Sequence, residues 1–229
     1  MNKKNWREWA LIFSIIGIIQ FFLLTLIAML FYAGGTLINP NAPGYSFWTN
    51  WFSDLGRTKA YSGKDNTVSY IIFTITLSVL GISLITFAIA FPYFFKENSL
   101  EKWLSIIGSI SLVIRGILVV GIALTPWDIY FYEHVTFDRI SGWFSLIGWI
   151  FIAIVLYHNK EFPDRIAYIL IISIVVGTTI SVTTNLFGVW PPTNTEELML
   201  FTAGQKIRIY FTNVCGLYIY YGIWKQIKS

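Results

Sequence analysis

Charged residues are scarce in this sequence. Only 12% of its 229 residues are Asp, Glu, Lys or Arg, whereas 55% are hydrophobic, and the mean hydropathy is +0.63. In a soluble domain about 25% of the residues are charged, so the deficit indicates a protein that is surrounded by a lipid bilayer. The formal net charge of +4 does not indicate a nucleic-acid partner, because the basic residues divide between the two ends of long apolar runs.

Cysteine and histidine are almost absent as well. The single cysteine, Cys215, excludes an internal disulfide and a zinc site built from cysteines. The two histidines, His134 and His158, lie in connections at opposite ends of an apolar run, so a hydrolytic zinc site with several histidine ligands is not expected. The sequence also has no Gly-x-Ser-x-Gly nucleophile motif and no phosphate-binding glycine loop. We therefore expect neither a metal ion nor a cofactor.

What the sequence has is six apolar runs, each long enough to cross a bilayer at about 20 residues per crossing. They lie at about residues 9–32, 67–94, 100–125, 137–157, 166–189 and 198–224. The first run is longer than the apolar part of a signal peptide. The sixth departs most from the pattern, because its first turns contain Gln205, Lys206 and Arg208. The chain is predicted to be one all-α domain, an integral membrane bundle of six transmembrane helices without repeats or linkers.

Lysine and arginine are distributed unequally between the two ends of these runs. One side collects Lys3, Lys4, Arg7, Lys96, Lys102, Lys160, Arg165, Lys225 and Lys228. The other side collects Arg57, Lys59, Lys64, Arg139, Lys206 and Arg208. Because cytoplasmic ends carry the excess of Lys and Arg, both termini are predicted in the cytoplasm, with the loop of residues 34–66 on the extracytoplasmic side of a cell membrane.

This loop is the longest polar interruption of the sequence, and it contains Asp54. Glycine, proline and asparagine residues break regular structure along it. Its aromatic residues indicate that it lies against the membrane interface: Tyr45, Phe47, Trp48, Trp51 and Phe52.

Ionisable residues within the predicted helices form the candidate site. Such groups are costly in lipid and usually face the bundle interior. Arg115 is the clearest example, roughly 15 Å from the outer end of its span at about 1.5 Å per residue. The predicted ligand-binding residues all belong to the outer half of the bundle: Ser53, Asp54, Arg115, Asp128, Asp138, Arg139, Gln205, Lys206 and Arg208. Two interpretations stay open for the arginines and Asp138, namely a polar pocket that opens outward and ion pairs that tie helices together.

Asp54, His134 and Asp138 are the candidates for catalysis. A carboxylate can orient a histidine for proton transfer, so Asp54 and His134 are a conceivable acid–base pair. A single histidine among aromatic residues is more often a solvated interface residue, and the sequence leaves open whether the protein is an enzyme. Binding is better supported, because basic groups near the hydrocarbon boundary suit a phosphate or carboxylate head group. Trp127 and Trp190 are expected at the rim of such a pocket.

Three short segments carry a resemblance to a known superfamily. Phe52-Ser53-Asp54-Leu55-Gly56 resembles its Ile-Ser-Asp-x-Gly signature, Gly121 to Pro126 resembles its Gly-Ile-x-Pro pattern, and Gln205-Lys206 resembles its Gln/Glu-Arg/Lys pair. This six-span superfamily contains the damage-regulated autophagy modulators, the lipid-remodelling factors of GPI-anchored proteins and a prokaryotic membrane family with a domain of unknown function. The resemblance implies work on lipids at an outward or lumenal face. The family has a histidine near the start of its fourth span, where Asp138 lies here.

We therefore expect a multi-pass membrane protein whose outer pocket binds or remodels a lipid or glycolipid head group, with membrane lipids as its partners. One alternative is a structural or accessory subunit of a larger membrane assembly, whose aromatic loops contact other subunits. A second is a transporter of small solutes or ions. The absence of an inverted repeat and of paired broken helices argues against the transporter.

Overall fold

The computed structural model describes residues 5–95, 99–188 and 190–228. Lys3, Lys4 and Lys96 of the basic side, and Val189 at the predicted end of the fifth run, lie outside the described residues. The described chain forms six α-helices: α1 Asn5–Phe31, α2 Thr67–Ala90, α3 Ser99–Leu124, α4 Phe131–His158, α5 Asp164–Phe187 and α6 Thr195–Lys228. Two short 3-10 helices accompany them, Phe52–Gly56 in the loop and Phe91–Phe94 directly after α2.

Each predicted run is helical, but three helices begin at least three residues before their apolar runs. α1 begins at Asn5 rather than at about residue 9, α4 at Phe131 rather than at about residue 137, and α6 at Thr195 rather than at about residue 198. The added turns carry polar residues such as Glu133 and His134, so they do not continue the apolar pattern. Their backbone is helical all the same, and the N–H of His134 donates to the carbonyl of Tyr130 at 2.9 Å.

Five of the helices are long and apolar enough to cross a membrane. They contain the segments Trp6–Phe31, Thr67–Phe94, Leu100–Leu124, Phe131–His158 and Asp164–Phe187. Large apolar side chains on their outer surface are exposed, as Leu30 and Trp103 illustrate, which suits a lipid surrounding rather than water. α6 does not meet the same criterion within the described residues, because Glu196, Glu197, Lys206 and Arg208 interrupt its apolar character. The architecture is that of a helical membrane bundle.

The helices form a closed ring. Each one packs against the next in the chain, and α6 packs against α1 as well as α5. Small residues allow the closest approaches. A Cβ atom added to Gly81 of α2 would lie 2.7 Å from the backbone oxygen of Gly116 on α3, so these two helices are in contact through their backbones.

Two apolar clusters fill the ring at different heights. The distal core takes side chains from all six helices and is centred on Phe87, Phe91, Ile152, Ile219 and Tyr220. The loop core joins α1 and α2 to the loop through Phe21, Tyr32, Phe52, Leu55 and Phe73. We call the end of the bundle at which residues 32–66 lie the loop side, and the opposite end the distal side.

Candidate functional site

Asp54 lies in the 3-10 helix of the loop and is completely buried. Its Oδ2 accepts hydrogen bonds from the side-chain amide of Asn50 at 2.8 Å and from the backbone N–H of Trp51 at 2.9 Å. Its Oδ1 is also buried and has no hydrogen-bond partner among the described residues. The carboxylate therefore holds the turn of the loop from the inside and is not open to solvent.

Asn50 connects this carboxylate to the start of the loop. It is completely buried; its amide also donates to the carbonyl of Gly35 at 3.0 Å, and its Oδ1 accepts the backbone N–H of Ser46 at 2.9 Å. Gly35 has a φ of 85°, a left-handed conformation that glycine adopts without steric cost. One amide side chain thus joins three points of the loop by using both its donor and its acceptor atoms.

Lys206 of α6 reaches into the same loop and is completely buried. Its ammonium donates to the backbone carbonyl of Asn50. The nitrogen lies 5.5 Å from the ring centroid of Tyr45 and 5.4 Å from those of Phe47 and Phe52. Three aromatic rings within about 6 Å attract a cation and replace part of its lost hydration. Lys206 is therefore a tie between α6 and the loop, enclosed by an aromatic cage.

Two neighbours of Lys206 on α6 fasten the loop as well. Gln205 accepts the backbone N–H of Phe52 at 2.9 Å through its Oε1, and the hydroxyl of Thr202 donates to the carbonyl of Trp48. Residues three and four positions apart share one face of a helix, so this face of α6 supports the loop. Ser53, next to Phe52, is half-buried.

Asp128 fastens the connection between α3 and α4 to the loop. Its carboxylate accepts the backbone N–H groups of Thr58 and Lys59, each at 3.1 Å, and the hydroxyl of Thr58 at 2.7 Å. The guanidinium of Arg57 lies 4.1 Å from the ring centroid of Tyr61 and 5.4 Å from that of Trp127. The loop is thus held by α6 on one side and by the α3–α4 connection on the other.

The two loop-side carboxylates differ in their acidity. Burial raises the pKa of Asp54 to about 6, although the hydrogen bonds it accepts and the charges of Arg57 and Lys206 oppose this change. Partial burial also acts on Asp128, but the hydrogen bonds from Thr58 and Lys59 outweigh it and lower the pKa of that carboxyl. Asp54 therefore takes up a proton at a higher pH than Asp128.

Three tryptophans meet at the loop-side surface. The ring centroid of Trp51 lies 5.6 Å from that of Trp127 and 6.1 Å from that of Trp190. Trp127 Nε1 and the hydroxyl of Tyr61 are buried and have no hydrogen-bond partner among the described residues. Trp127 and Trp190, the expected rim residues, are thus both in contact with the loop.

A second group of charges lies between the helices. Arg115 of α3 is half-buried, and its Nε is buried without a hydrogen-bond partner among the described residues. The charged groups that act on it are Arg208 of α6 and Asp138 of α4. In the described part of the chain, neither arginine is joined to a carboxylate by an ion pair. The charges that act on Arg115 thus come from two other helices, α4 and α6.

Asp138 belongs to the face of α4 that is turned to α3. His134, Asp138 and Ser141 follow one another at helical spacing, and further along the same face a Cβ atom added to Gly148 would lie 2.6 Å from Leu112 of α3. Asp138 is nevertheless exposed. We call the region around Arg115, Asp138 and Arg208 the chamber.

The remaining candidates on α4 lie apart from Asp54. Nδ1 of the buried His134 is 2.7 Å from the backbone oxygen of Thr125. Because a carbonyl only accepts, Nδ1 carries the proton. The charge that acts on His134 is that of Asp138 rather than Asp54, so the structure does not join Asp54 and His134. Arg139 is exposed and lies about 100° further round the helix than Asp138.

Sequence reasoning missed the two asparagines that hold the loop. Besides Asn50, the buried Asn66 accepts the N–H of Ala33 at 3.2 Å and donates to the carbonyl of Arg57 at 2.8 Å. No sequence pattern distinguishes them from the loop's other asparagines. Their positions are the one signal: Asn50 lies four residues before Asp54, and Asn66 directly precedes α2. Within the described residues, no three His, Cys, Asp or Glu side chains come together to hold a metal ion.

No protein-family model matches the chain, and searches of curated proteins and of solved structures found no match either.

Proposed function

We propose that this protein crosses the membrane six times, with both termini in the cytoplasm and the loop on the extracytoplasmic side. The closed ring supports a sixth crossing, because α6 runs between α1 and α5, two helices that are apolar enough to span. Several polar residues of α6 face the loop or the chamber rather than the surrounding lipid. Arg7, Lys102, Arg165 and Lys225 lie on the distal side, which the positive-inside rule makes cytoplasmic.

In this orientation the chamber binds the polar head group of a membrane lipid. The observation that carries the proposal is the buried Nε of Arg115, which has no partner among the described residues although a second guanidinium, Arg208, acts on the same site. An uncompensated charge in a bundle interior is costly, so two arginines without an ion pair in the described chain favour a site that an anionic ligand completes. A guanidinium suits a phosphate or carboxylate group, since it presents paired donors to two oxygens.

The position of the chamber suits a lipid rather than a soluble ligand. Arg115 lies nine positions before Leu124, the end of α3, or about 14 Å at 1.5 Å per residue. A group at this depth is beside the hydrocarbon of the outer leaflet, and the helices around it expose apolar side chains such as Ile117. A lipid can place its head group in the chamber and keep its chains against this surface. This role agrees with the proposed relationship to the six-span lipid-associated superfamily.

The test is native mass spectrometry of protein extracted from its own membranes in mild detergent. We expect the wild type to carry a bound molecule with the mass of a lipid, and Arg115→Gln and Arg208→Gln to have lost it. Arg165→Gln is the matched control, because Arg165 is an exposed arginine on the distal side. It should retain the lipid.

Two outcomes contradict the proposal. Equal lipid retention by all four proteins places the lipid outside the chamber. Partner chains at a fixed ratio, with no specific lipid, identify the protein as a subunit of a larger assembly.

A further inference from the structure

A groove runs between α2 and α3 from the distal end of the bundle towards its middle. Its volume is about 260 Å³. Apolar side chains of both helices line it, among them Ala88, Ile89, Pro92, Ile106, Ile110 and Ile114. Ile89 and Ile110 are exposed, so the groove opens to the outer surface of the bundle. From Ile106 to Ile114 it is about 12 Å long at 1.5 Å per residue, which suits part of an extended acyl chain.

The distal mouth of this groove lies at the height of a membrane surface. Pro92 belongs to the 3-10 helix Phe91–Phe94, which packs against α3. Tyr93, the next residue, and Trp103 of α3 are both exposed. Exposed tyrosine and tryptophan side chains prefer the boundary between hydrocarbon and head groups. A chain in the groove therefore has its polar end beside these residues.

Two basic side chains lie at the same mouth. The guanidinium of Arg7 donates to the backbone carbonyl of Tyr93 at 2.8 Å, so α1 places a positive charge beside Pro92. Lys102 is exposed and precedes Ile106 by about one helical turn. Its side chain leans towards the N-terminal end of α3, which is the distal end. In the described part of the chain, no ion pair joins Arg7 or Lys102 to a carboxylate.

The acidic residues next to these two cations in the sequence point elsewhere. Glu101 is buried, and its Oε2 accepts a hydrogen bond from the side-chain amide of Asn159 at 2.7 Å, so it is directed to the α4–α5 connection. Glu8 is half-buried and lies about 100° further round α1 than Arg7.

A groove between α4 and α5 provides a comparison. Its volume is about 240 Å³, and Ile154, Tyr157 and Val175 are among its lining residues. Lys160 lies at its distal end, where the ammonium is 5.8 Å from the ring centroid of Tyr157. This lysine is paired with Asp164 at 3.8 Å. The two grooves are thus similar in size, but the cation of the second one already has an anionic partner.

We propose that the α2–α3 groove binds a phospholipid of the distal leaflet, with one acyl chain between the two helices and its phosphate at Arg7 and Lys102. Basic groups at the hydrocarbon boundary attract a phosphate, and a guanidinium presents paired donors to its oxygens. The groove removes the chain from the freely exchanging lipid around the bundle. This site is separate from the chamber, because Arg115 lies about 100° further round α3 than Ile114.

The experiment is photo-crosslinking of the protein in phosphatidylcholine vesicles. The probe is phosphatidylglycerol with a diazirine near the middle of one acyl chain, and mass spectrometry of peptides locates the labelled residues. We expect labelling of α2 and α3 at Ile89 and Ile110 to exceed labelling of the α4–α5 groove by about fivefold. Diacylglycerol with the same chains but no phosphate should label the two grooves equally.

Ser109→Leu tests the position of the chain. Ser109 lines the α2–α3 groove and is buried, and its hydroxyl has no hydrogen-bond partner among the described residues. The change therefore removes no hydrogen bond of the described chain and fills the groove with a larger side chain, so the label should be lost. Ile107→Phe is the control, because Ile107 is exposed on the same helix outside the groove, and it should keep the label.

Lys102→Gln tests the position of the phosphate. Loss of one cation near the membrane surface should lower phosphatidylglycerol labelling of the groove by about fivefold. Lys225→Gln removes an exposed lysine of α6 on the distal side and should leave this labelling unchanged.

Three outcomes overturn the proposal. Even labelling of the outer surface of all helices shows only freely exchanging lipid. Equal preference of phosphatidylglycerol and diacylglycerol for the α2–α3 groove removes the role of the phosphate. Labelling that Ser109→Leu leaves unchanged places the chain outside the groove. None of these results depends on the chamber, and Arg115→Gln, which tests the proposed function, should keep the groove label.

Discussion

The loop side and the distal side of the bundle are stabilised by different interactions. On the distal side, Phe87 is completely buried, and its ring centroid lies 4.7 Å from that of Tyr220 and 5.4 Å from that of Phe91. On the loop side, buried polar atoms of Asp54, Asn50 and Lys206 meet in hydrogen bonds. The distal side is an apolar core, whereas the loop side combines a smaller apolar core with a buried polar network and the charged residues of the chamber.

The two sides meet different requirements: the distal side fixes the arrangement of the helices, and the loop side holds the polar groups. Dense apolar packing gives a single well-ordered arrangement of helices, and it tolerates few changes in volume. Polar groups and charges are costly inside a protein, so their concentration in one half is the reason why we place the proposed function there. The distal core can then hold the six helices while the loop side carries the proposed ligand site.

The largest effect is expected from breaking the distal core. Phe87→Ala should lower the free energy of unfolding by about 3–5 kcal/mol, because it leaves a cavity among the rings of Phe91, Trp149 and Tyr220. Ile89→Ala is the control on the same helix, since Ile89 is exposed, and it should change stability by less than about 1 kcal/mol. Denaturant unfolding in detergent measures both. Similar losses in the two variants would show that the distal core is not the main source of stability.

The next largest effect is a pH dependence of the free energy of unfolding that arises from Asp54. The folded protein has a pKa of about 6 at this carboxyl against an ordinary value of 3.8, so between these values the folded state binds a proton that the unfolded state does not. Stability therefore falls as the pH rises through this window, and the cost is fully present above pH 6. About two pKa units at about 1.4 kcal/mol each correspond to about 3 kcal/mol.

The measurement compares unfolding of the wild type and of Asp54→Asn from pH 4 to pH 7. The difference between the two isolates Asp54 from the other carboxyls, including Asp128, whose lowered pKa acts in the opposite direction. A difference that does not change with pH would contradict the raised pKa.

A smaller effect should distinguish two cations of α6. Lys206→Met should cost about 2 kcal/mol, because it removes the donor to Asn50 and a cation that acts on buried Asp54. Arg208→Met, measured without lipid, should change stability by less than about 0.5 kcal/mol or raise it, since Arg208 forms no ion pair in the described chain and repels Arg115. The opposite order of melting temperatures would assign the structural role to Arg208.

The smallest effect is expected at the distal surface. Lys160 and Asp164 form an ion pair at 3.8 Å, and their side chains are 78% and 48% exposed. Exposed pairs of this kind contribute little, so Lys160→Gln should lower the free energy of unfolding by less than about 0.5 kcal/mol. A loss of more than about 1 kcal/mol in the same unfolding assay would show that surface charge matters on this side.

Much of the fold follows from the sequence, because a bilayer imposes a strict local rule. A helix that crosses it needs about 20 largely apolar residues, and such runs are visible without any knowledge of their neighbours. The run at about residues 67–94 accordingly coincides with α2 and the 3-10 helix Phe91–Phe94 that follows it. Counting apolar residues misplaced a helix boundary only where polar residues extend the helix, as at the start of α4.

The sequence also indicated that Asp54, Arg115 and the charged residues of α6 belong to one half of the molecule, since their positions along the spans fix their heights. It did not show which of these residues form hydrogen bonds within the protein and which do not. Lys206 and Arg208 are two positions apart, about 200° around the helix, so one faces the loop and the other faces the chamber. That assignment depends on the rotation of α6 against its neighbours.

The partner of Lys206, Asn50, lies 156 residues earlier in the chain. Contacts over such a separation depend on how all six helices close into a ring, and no local pattern encodes them. The sequence by itself determined the helices and the height of each charged residue, because a bilayer constrains each run separately. Only the tertiary structure decided that Asp54 and Lys206 are buried against the loop while Arg115 and Arg208 have no ion pair among the described residues, because packing sets which side chains find partners.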